Sequence, residues 1–131
     1  MAKSFSTVRT SGGTVVCDAC LVAESPWLRM KGLLGRRELP EGEGIQLRPA
    51  SSIHMAFMRF PIDAVFLARD LTVVKIKSEL APWRMASKRS AHAVLELPGG
   101  TCKRLGVREG QRLTLTSLPE SDGLPLHPMG G

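Results

Sequence analysis

The chain has 131 residues, of which 43% are hydrophobic, 23% charged and 5% aromatic, with no tyrosine and a formal net charge of +6 at pH 7. This length and composition indicate a single soluble globular domain with an aliphatic core. Residues 1–11 contain no apolar signal-like core and no apolar run reaches membrane-spanning length, so we expect a cytoplasmic protein without a membrane span.

The N-terminal part predicts a leader, a strand and a helix. Residues 1–13 are polar, which indicates a flexible leader. Residues 14–23 are rich in Val and Leu and predict a strand or a tight pair of strands. A helix is predicted over about residues 26–34, because Ser25 suits the capping position and Pro26 the first helical position.

The rest of the chain is typical of β structure. Residues 62–68 form a nearly continuous apolar run, as expected for a strand covered on both faces, and residues 71–77 return as its hairpin partner. Residues 81–90 form a basic segment, which we predict to be a loop. Further strands are predicted at 44–47, 93–97 and 112–116, and a helical turn near 101–105.

This pattern predicts the fold class and the domain limits. Many short strands with Gly and Pro turns, one early helix and no alternation of strand and helix indicate a mainly β, antiparallel barrel or sandwich. The domain is predicted over residues 14–116. Residues 117–131 are rich in Pro, Gly and Ser and predict a disordered tail.

The segment 52–63 is the most informative for function. It sets His54, Arg59 and Asp63 among Met, Phe, Ile and Pro. Charged groups are costly to remove from water alone, so within an apolar run they must find partners or line a site. The segment therefore predicts the position of a cleft, although it does not define a reaction.

Two carboxylates lie within predicted strands. Asp63 is expected to pair with Arg29, Arg36 or Arg59 in a structural ion pair, or to serve as a functional group with a perturbed pKa. Glu96 lies between two leucines and faces the same choice. If both carboxylates line one cleft, paired acid/base chemistry is an open alternative.

His54 is the candidate general base, because histidine titrates near neutral pH. A hydrolase would also need a nucleophile such as Ser51, Ser52 or Cys102 within hydrogen-bond reach, and the sequence has no G-x-S-x-G elbow. A histidine held by core or rim contacts is the preferred interpretation. An acid/base hydrolase using His54 with an acidic partner stays the alternative.

Metal binding has a weaker signal. His54, Met55 and Met58 offer nitrogen and thioether ligands that suit copper(I). Successive strand residues face opposite ways, so positions 54 and 58 can converge while Met55 points elsewhere, and methionines among apolar residues usually fill a core. We expect neither a metal nor a cofactor.

The cysteines suggest a redox motif only by spacing. Cys17 and Cys20 form a C-x-x-C pair, but the surrounding residues predict a strand rather than the strand–C-x-x-C–helix context of redox domains. A structural zinc site would need two more ligands, and no second such motif exists. We interpret these two residues and Cys102 as small buried side chains.

Basic residues occur in local groups along the chain. The groups are Arg29, Lys31, Arg36 and Arg37; Lys75 and Lys77; Arg84, Lys88 and Arg89; and Lys103, Arg104, Arg108 and Arg112. They form a solvated surface or an electrostatic footprint for a polyanion such as nucleic acid. Because aromatic residues do not interleave with these groups, stacking of single-stranded nucleic acid is not favoured.

Several short motifs follow one another between residues 20 and 115. They are Arg29-x-x-Gly32-Leu33-Leu34-x-Arg36, Gly42-x-Gly44-Ile45, Met55, Pro61-Ile62-Asp63, Phe66-Leu67, Leu95-Glu96-Leu97-x-x-Gly100, Gly106 and Gly110. Their order and spacing resemble the DUF192 family of uncharacterised bacterial and archaeal proteins. The resemblance implies a compact, mostly β domain and no known enzyme activity, because none is established for the family. The segment around His54 resembles one branch of the family, so the histidine is not a family-wide feature.

Together these observations predict a non-catalytic ligand- or protein-binding accessory module. The expected partner is a small anionic ligand or a protein, and the oligomeric state stays open. Its cleft is predicted from His54, Arg59 and Asp63, with Arg29, Arg36 and Glu96 in support. The hydrolase and a binder of polyanions or nucleic acid through basic surface groups are the alternatives.

Overall fold

The computed structural model of the protein describes residues 4–33 and 36–119. In chain order the elements are β1 (Ser4–Thr10), β2 (Val15–Ala23), α1 (Pro26–Leu33), β3 (Glu43–Leu47), β4 (Ser52–His54), β5 (Ile62–Leu67), β6 (Val73–Leu80), β7 (Met85–Ser87), β8 (Ala93–Pro98), α2 (Thr101–Leu105) and β9 (Leu113–Ser117). The predicted helix start is confirmed, because the Leu28 amide donates to Ser25 Oγ at 3.2 Å. The predicted helical turn is confirmed as α2.

Seven strands form one curled sheet in the order β6-β5-β8-β3-β2-β1-β9, and β4 pairs with β7 in a separate two-stranded ribbon. The sheet curls far enough that its edges meet where Thr72, before β6, bridges Arg112, before β9. The predicted mainly antiparallel, barrel-like fold is therefore confirmed, in the form of a half-barrel. One neighbouring pair, β2 and β3, is parallel. α1 supplies its crossover, a strand–helix–strand unit that the sequence pattern did not predict.

The N-terminal prediction is wrong for residues 4–10. This part of the predicted flexible leader forms β1, which pairs with β2 on one side and β9 on the other. Its composition is polar, but Val8 is buried and the Thr7 hydroxyl donates to the Asp18 carbonyl at 2.9 Å. Hydrogen bonds between strands thus order a segment that hydrophobicity alone did not mark.

At the C-terminus β9 ends at Ser117. The remainder of the predicted tail from residue 120 onward lies outside the described residues, as does Leu34, the last residue of the predicted first helix.

The side chains of the main sheet alternate between two apolar cores, one on each face. Ile62, Ala64 and Phe66 of β5 belong to the first core, whereas Val65 and Leu67 belong to the second. The second core also receives side chains from β1, β2, β9 and α2. Neighbouring residues on one strand can therefore serve different sites.

The ribbon of β4 and β7 covers the first core. Ile53 and Ala86 point into that core, and the Lys75 ammonium of β6 donates to the Ser87 carbonyl at 2.8 Å. The segment 81–90, predicted as a loop, thus contains a short strand. A three-residue strand with only one buried position has too little periodicity to be recognised in the sequence.

Candidate functional site

Asp63 is a structural residue that binds backbone amides. Its carboxylate is fully buried and accepts hydrogen bonds from the amides of Glu79 and Gly100 at 2.9 and 3.0 Å, and from that of Cys102 at 2.8 Å. The charge is thereby compensated by three oriented N–H groups rather than by an arginine. The predicted pairing with Arg29, Arg36 or Arg59 is wrong, because the chain folds its own amides around this carboxylate.

Glu96 forms the buried ion pair of the fold. Its Oε2 accepts from Arg29 Nε at 2.5 Å, and both side chains are almost completely buried. Glu96 Oε1 has no partner within the described part of the protein. Burial raises the pKa of Glu96, and the Arg29 guanidinium and the nearby His54 offset this only in part.

The predicted cleft is divided between separate places. Ala64 pairs with Glu96 and Asp63 with Leu97, so the two carboxylates lie on opposite faces of the sheet. Arg36 lies elsewhere, in a half-exposed ion pair with Glu43 at 3.0 Å. Paired acid/base chemistry by the two carboxylates is therefore excluded by the geometry.

The cysteines also have structural positions. The four residues from Cys17 to Cys20 oppose the three residues from Ser6 to Val8 of β1, and this bulge turns both cysteine side chains into the second core. A hydrogen bond with Cys17, together with burial, raises the pKa of the Cys20 thiol. Burial and the Asp63 charge raise the pKa of Cys102 to about 12. These are poor conditions for thiolate chemistry.

No metal centre is formed by the described residues. They contain no group of three or more His, Cys, Asp or Glu side chains placed to hold an ion. His54 is exposed, whereas Met55 and Met58 are buried in the first core, so these three side chains do not converge.

The most distinctive surface was missed by the sequence reasoning. It is formed by the exposed side chains of the turns after β4 and β6 and of the adjoining strand ends, and we call it the loop face. Its members are His54, Phe57, Arg59, Trp83, Arg84 and Met85. At its centre the rings of Phe57 and Trp83 meet edge to face with centroids 4.9 Å apart. About two-thirds of each side chain stays exposed, at 67% and 66%.

The two aromatic residues stand on strained backbone. Phe57 has a φ of 66° and Trp83 a φ of 69°, in the left-handed region that bulky residues avoid. Such conformations cost about 1–3 kcal/mol each and persist where the surroundings fix them, often at functional sites. Holding these two large apolar rings in water on such a backbone therefore lowers the stability of the fold.

Backbone contacts lock the two turns together. The Trp83 amide donates to the Met55 carbonyl at 2.8 Å, and the Met55 amide donates to the Arg84 carbonyl at 2.7 Å. The Met55 side chain is fully buried, and its sulfur accepts from Arg29 Nη2 at 3.8 Å. The Arg29–Glu96 pair thus forms the support beneath the loop face, and Arg29 also lines a cavity of about 10 Å³ beside Phe57.

The turns that build the loop face carry no acid of their own, although exposed Glu79 lies two residues before the second turn. The two segments that build it and the ribbon, residues 48–61 and 81–92, contain no Asp or Glu; their cations are Arg48, Arg59, Arg84, Lys88 and Arg89. Arg59 and Arg84 are exposed, two residues after Phe57 and one residue after Trp83 in the chain. Of the predicted cleft residues, His54 and Arg59 reach this face, and Arg29 and Glu96 lie beneath it.

Larger concavities lie elsewhere. A groove of about 320 Å³ contains Phe5, Leu39 and the Arg36–Glu43 ion pair. Another, of about 270 Å³, contains Glu41 and Arg104, which pair at 2.8 Å. In the first groove the two charged groups pair with each other, and in the second exposed Asp18 adds a carboxylate to the Glu41–Arg104 pair. Neither groove therefore presents an excess of cations like that of the loop face.

The protein is therefore a curled, mainly β single-domain protein. It has a buried ion pair beneath an exposed aromatic and basic face. The family model of DUF192, described as "Uncharacterized ACR, COG1430", matches residues 7–115. The chain therefore belongs to the DUF192 family, as its motifs predicted. Within the described part of the chain, no helix has the length and apolarity needed to cross a bilayer.

Relatives and solved structures agree with this assignment. The chain is 39% identical over 70 residues to a UPF0127 protein of Pyrococcus furiosus and 33% identical over 78 residues to one of Thermococcus kodakarensis. These matches cover 53% and 59% of this chain but only 60% and 49% of the relatives, so the chain spans about half the length of these proteins.

Two crystal structures have a similar fold. One, described as a putative transcription regulator from Sinorhizobium meliloti, is 30% identical with a TM-score of 0.74, over 87% of this chain and 94% of that one. The other, a protein of unknown function from Novosphingobium aromaticivorans, is 27% identical with a TM-score of 0.69, over 86% and 84%.

Proposed function

We propose that this protein is a non-catalytic binding module that takes an anionic ligand on the loop face. The observation that carries the proposal is the exposed Phe57–Trp83 pair on strained backbone. Exposed rings gain free energy when a ligand removes them from water, and that gain explains why the strain is maintained.

Charge supports an anion as the occupant. Exposed Arg59 follows Phe57 by two residues and exposed Arg84 directly follows Trp83, and residues 48–61 and 81–92 contain no carboxylate. Guanidinium groups present several fixed N–H donors and suit carboxylate or phosphate. The description of the Sinorhizobium structure as a putative transcription regulator is compatible with a binding role.

The acid/base hydrolase has less support. His54 is exposed on the loop face, but the acid nearest to it, Glu96, is fully buried and already paired with Arg29. A carboxylate in this position lacks access to a substrate and to water, so it is poorly suited to assist a general base.

The experiment uses Trp83 as a local reporter. In a Trp27→Phe variant Trp83 is the remaining tryptophan, and its exposure is measured by acrylamide quenching. The anionic probes are heparin, phosphatidylserine vesicles and an oligothymidine of about 15 nucleotides. We expect at least one probe to lower the quenching constant of Trp83, because a ligand on the loop face covers its ring.

Matched charge variants provide the control. Arg59→Gln and Arg84→Gln should each weaken probe binding several-fold. Arg69→Gln should leave binding unchanged, because exposed Arg69 follows the opposite end of β5, roughly 17 Å away along the strand. If no probe protects Trp83, or if all three variants lose the same affinity, the proposed function is wrong.

A further inference from the structure

We propose that the ligand of the loop face is a single-stranded nucleic acid. This inference rests on the proposed function and names the chemical class of its anion. It depends on three features of the described residues, namely the open rings, the basic track beside them and the polar surface between.

The aromatic pair can act as a stacking platform. Proteins that bind single strands without strong sequence preference combine a basic groove with aromatic side chains on which bases stack. In an edge-to-face pair the edge of one ring meets one face of the other, so the pair itself leaves both faces of the first ring and one face of the second uncovered. The sequence does not reveal this combination, because Phe57 and Trp83 are distant in the chain and meet only in the fold.

The β4–β7 ribbon extends the surface of the aromatic pair and carries cations at both of its ends. Its buried positions face the first core, whereas Ser52, His54, Met85 and Ser87 face outward. Arg84 lies at the aromatic end, and Lys88 and Arg89 follow at the other end. From Arg84 to Arg89 an extended chain spans roughly 17 Å. At about 3.4 Å or more per nucleotide, this length suits up to about five nucleotides.

Other polyanionic partners fit less well. A membrane surface would favour a continuous apolar tip, but between the rings and the distal cations the ribbon presents Ser52 and Ser87. Duplex DNA is usually read by a helix or ribbon inserted in the major groove. Here the ribbon lies flat against the first core through Ile53 and Ala86, so it does not project.

The test compares oligothymidine with an abasic oligonucleotide of the same length, which keeps the phosphates and removes the bases. Stacking contributes about 1–3 kcal/mol per base, so one stacked base should give oligothymidine about 5- to 150-fold higher affinity. The comparison uses the parent protein and does not depend on any substitution.

Two variants assign the difference to the rings. Phe57→Asn and Trp83→Asn remove one ring each but keep a residue that tolerates positive φ. Each should lower the affinity for oligothymidine about 5-fold or more and leave that for the abasic chain unchanged. Phe5→Asn removes a partly exposed ring from the separate groove and should change neither.

The possible results distinguish the two proposals. If oligothymidine and the abasic chain bind equally, or if vesicles bind while oligothymidine does not, the nucleic-acid inference is wrong and the proposed function stands. If heparin, vesicles and both oligonucleotides all fail to bind, both are wrong. Preference for oligothymidine that is lost in the Asn variants supports both.

Discussion

Asp63 and Glu96 lie on adjacent, hydrogen-bonded strands and yet on opposite faces of the sheet. Asp63 is directly opposite Leu97, and Glu96 is opposite Ala64, so one carboxylate enters each core. Asp63 organises the amides around the start of α2, and Glu96 holds Arg29 beneath the loop face. Two acids that look alike in the sequence therefore have separate structural tasks, each of which can be tested.

Replacing Asp63 by Asn should destabilise the fold by about 2–4 kcal/mol. An amide nitrogen in place of a carboxylate oxygen would face an N–H donor such as that of Cys102, and the hydrogen bonds that remain would lose their charge. Urea unfolding measures this loss. Asp70→Asn is the control, because Asp70 is exposed in a turn and should change stability much less. Equal effects of the two variants would contradict the role of Asp63.

Removing one partner of the Arg29–Glu96 pair should be far more harmful than removing both. Arg29→Met or Glu96→Met alone leaves a buried charge uncompensated and should cost about 3–5 kcal/mol. The double variant removes both charges and should have a free energy of unfolding close to that of the parent. Urea unfolding of the four proteins gives the coupling energy. Additive losses in the double variant would show that the two charges do not depend on each other.

The pH dependence of stability should carry the signature of Glu96. Its pKa is raised above the ordinary value of 4.5 because burial opposes the charge. A carboxyl with a higher pKa in the folded chain binds more protons there, so its stabilising contribution is complete below the unfolded pKa and is lost as pH rises through the folded pKa.

The measurement compares the parent with the Arg29→Met, Glu96→Met double variant. As the pH rises above 4.5, the free energy of unfolding of the parent should fall relative to that of the double variant. A shift in favour of the parent as the pH rises toward 4.5 from below would mean that the guanidinium outweighs burial and lowers this pKa.

The cysteines should be unreactive in the native protein. Cys17, Cys20 and Cys102 are all buried, and the pKa values of Cys20 and Cys102 are raised. We expect a thiol reagent at mildly alkaline pH to label them only after unfolding in guanidinium, which exposes all three. Rapid labelling of any of them without denaturant would reopen a redox role.

The sequence predicts elements well where local pattern decides the structure. The apolar run of β5 and its return in β6 are continuous, and Ser25 with Pro26 marks the start of α1 by capping chemistry. β1 was not predicted, because this segment is ordered by pairing with strands at both of its edges rather than by its own apolar content. Long-range pairing of this kind leaves little local trace.

The site was predicted only in part. The sequence indicated that polar residues near position 60 must be satisfied, but not that Asp63 would bind three amides, since those amides come from distant turns. The loop face also depends on tertiary contacts between two segments. The sequence feature that could have indicated the loop face is the occurrence of Phe57 near Arg59 and of Trp83 beside Arg84, in segments without any acid.

The central claim is that the loop face is where this protein meets its anionic ligand. The most direct measurement is an NMR titration of the nitrogen-15-labelled protein with the oligothymidine and heparin probes. We predict that the largest amide shifts occur at residues 54–59 and 83–85. Shifts concentrated in the groove that contains Phe5 and Arg36, or no shifts with either probe, would contradict the claim.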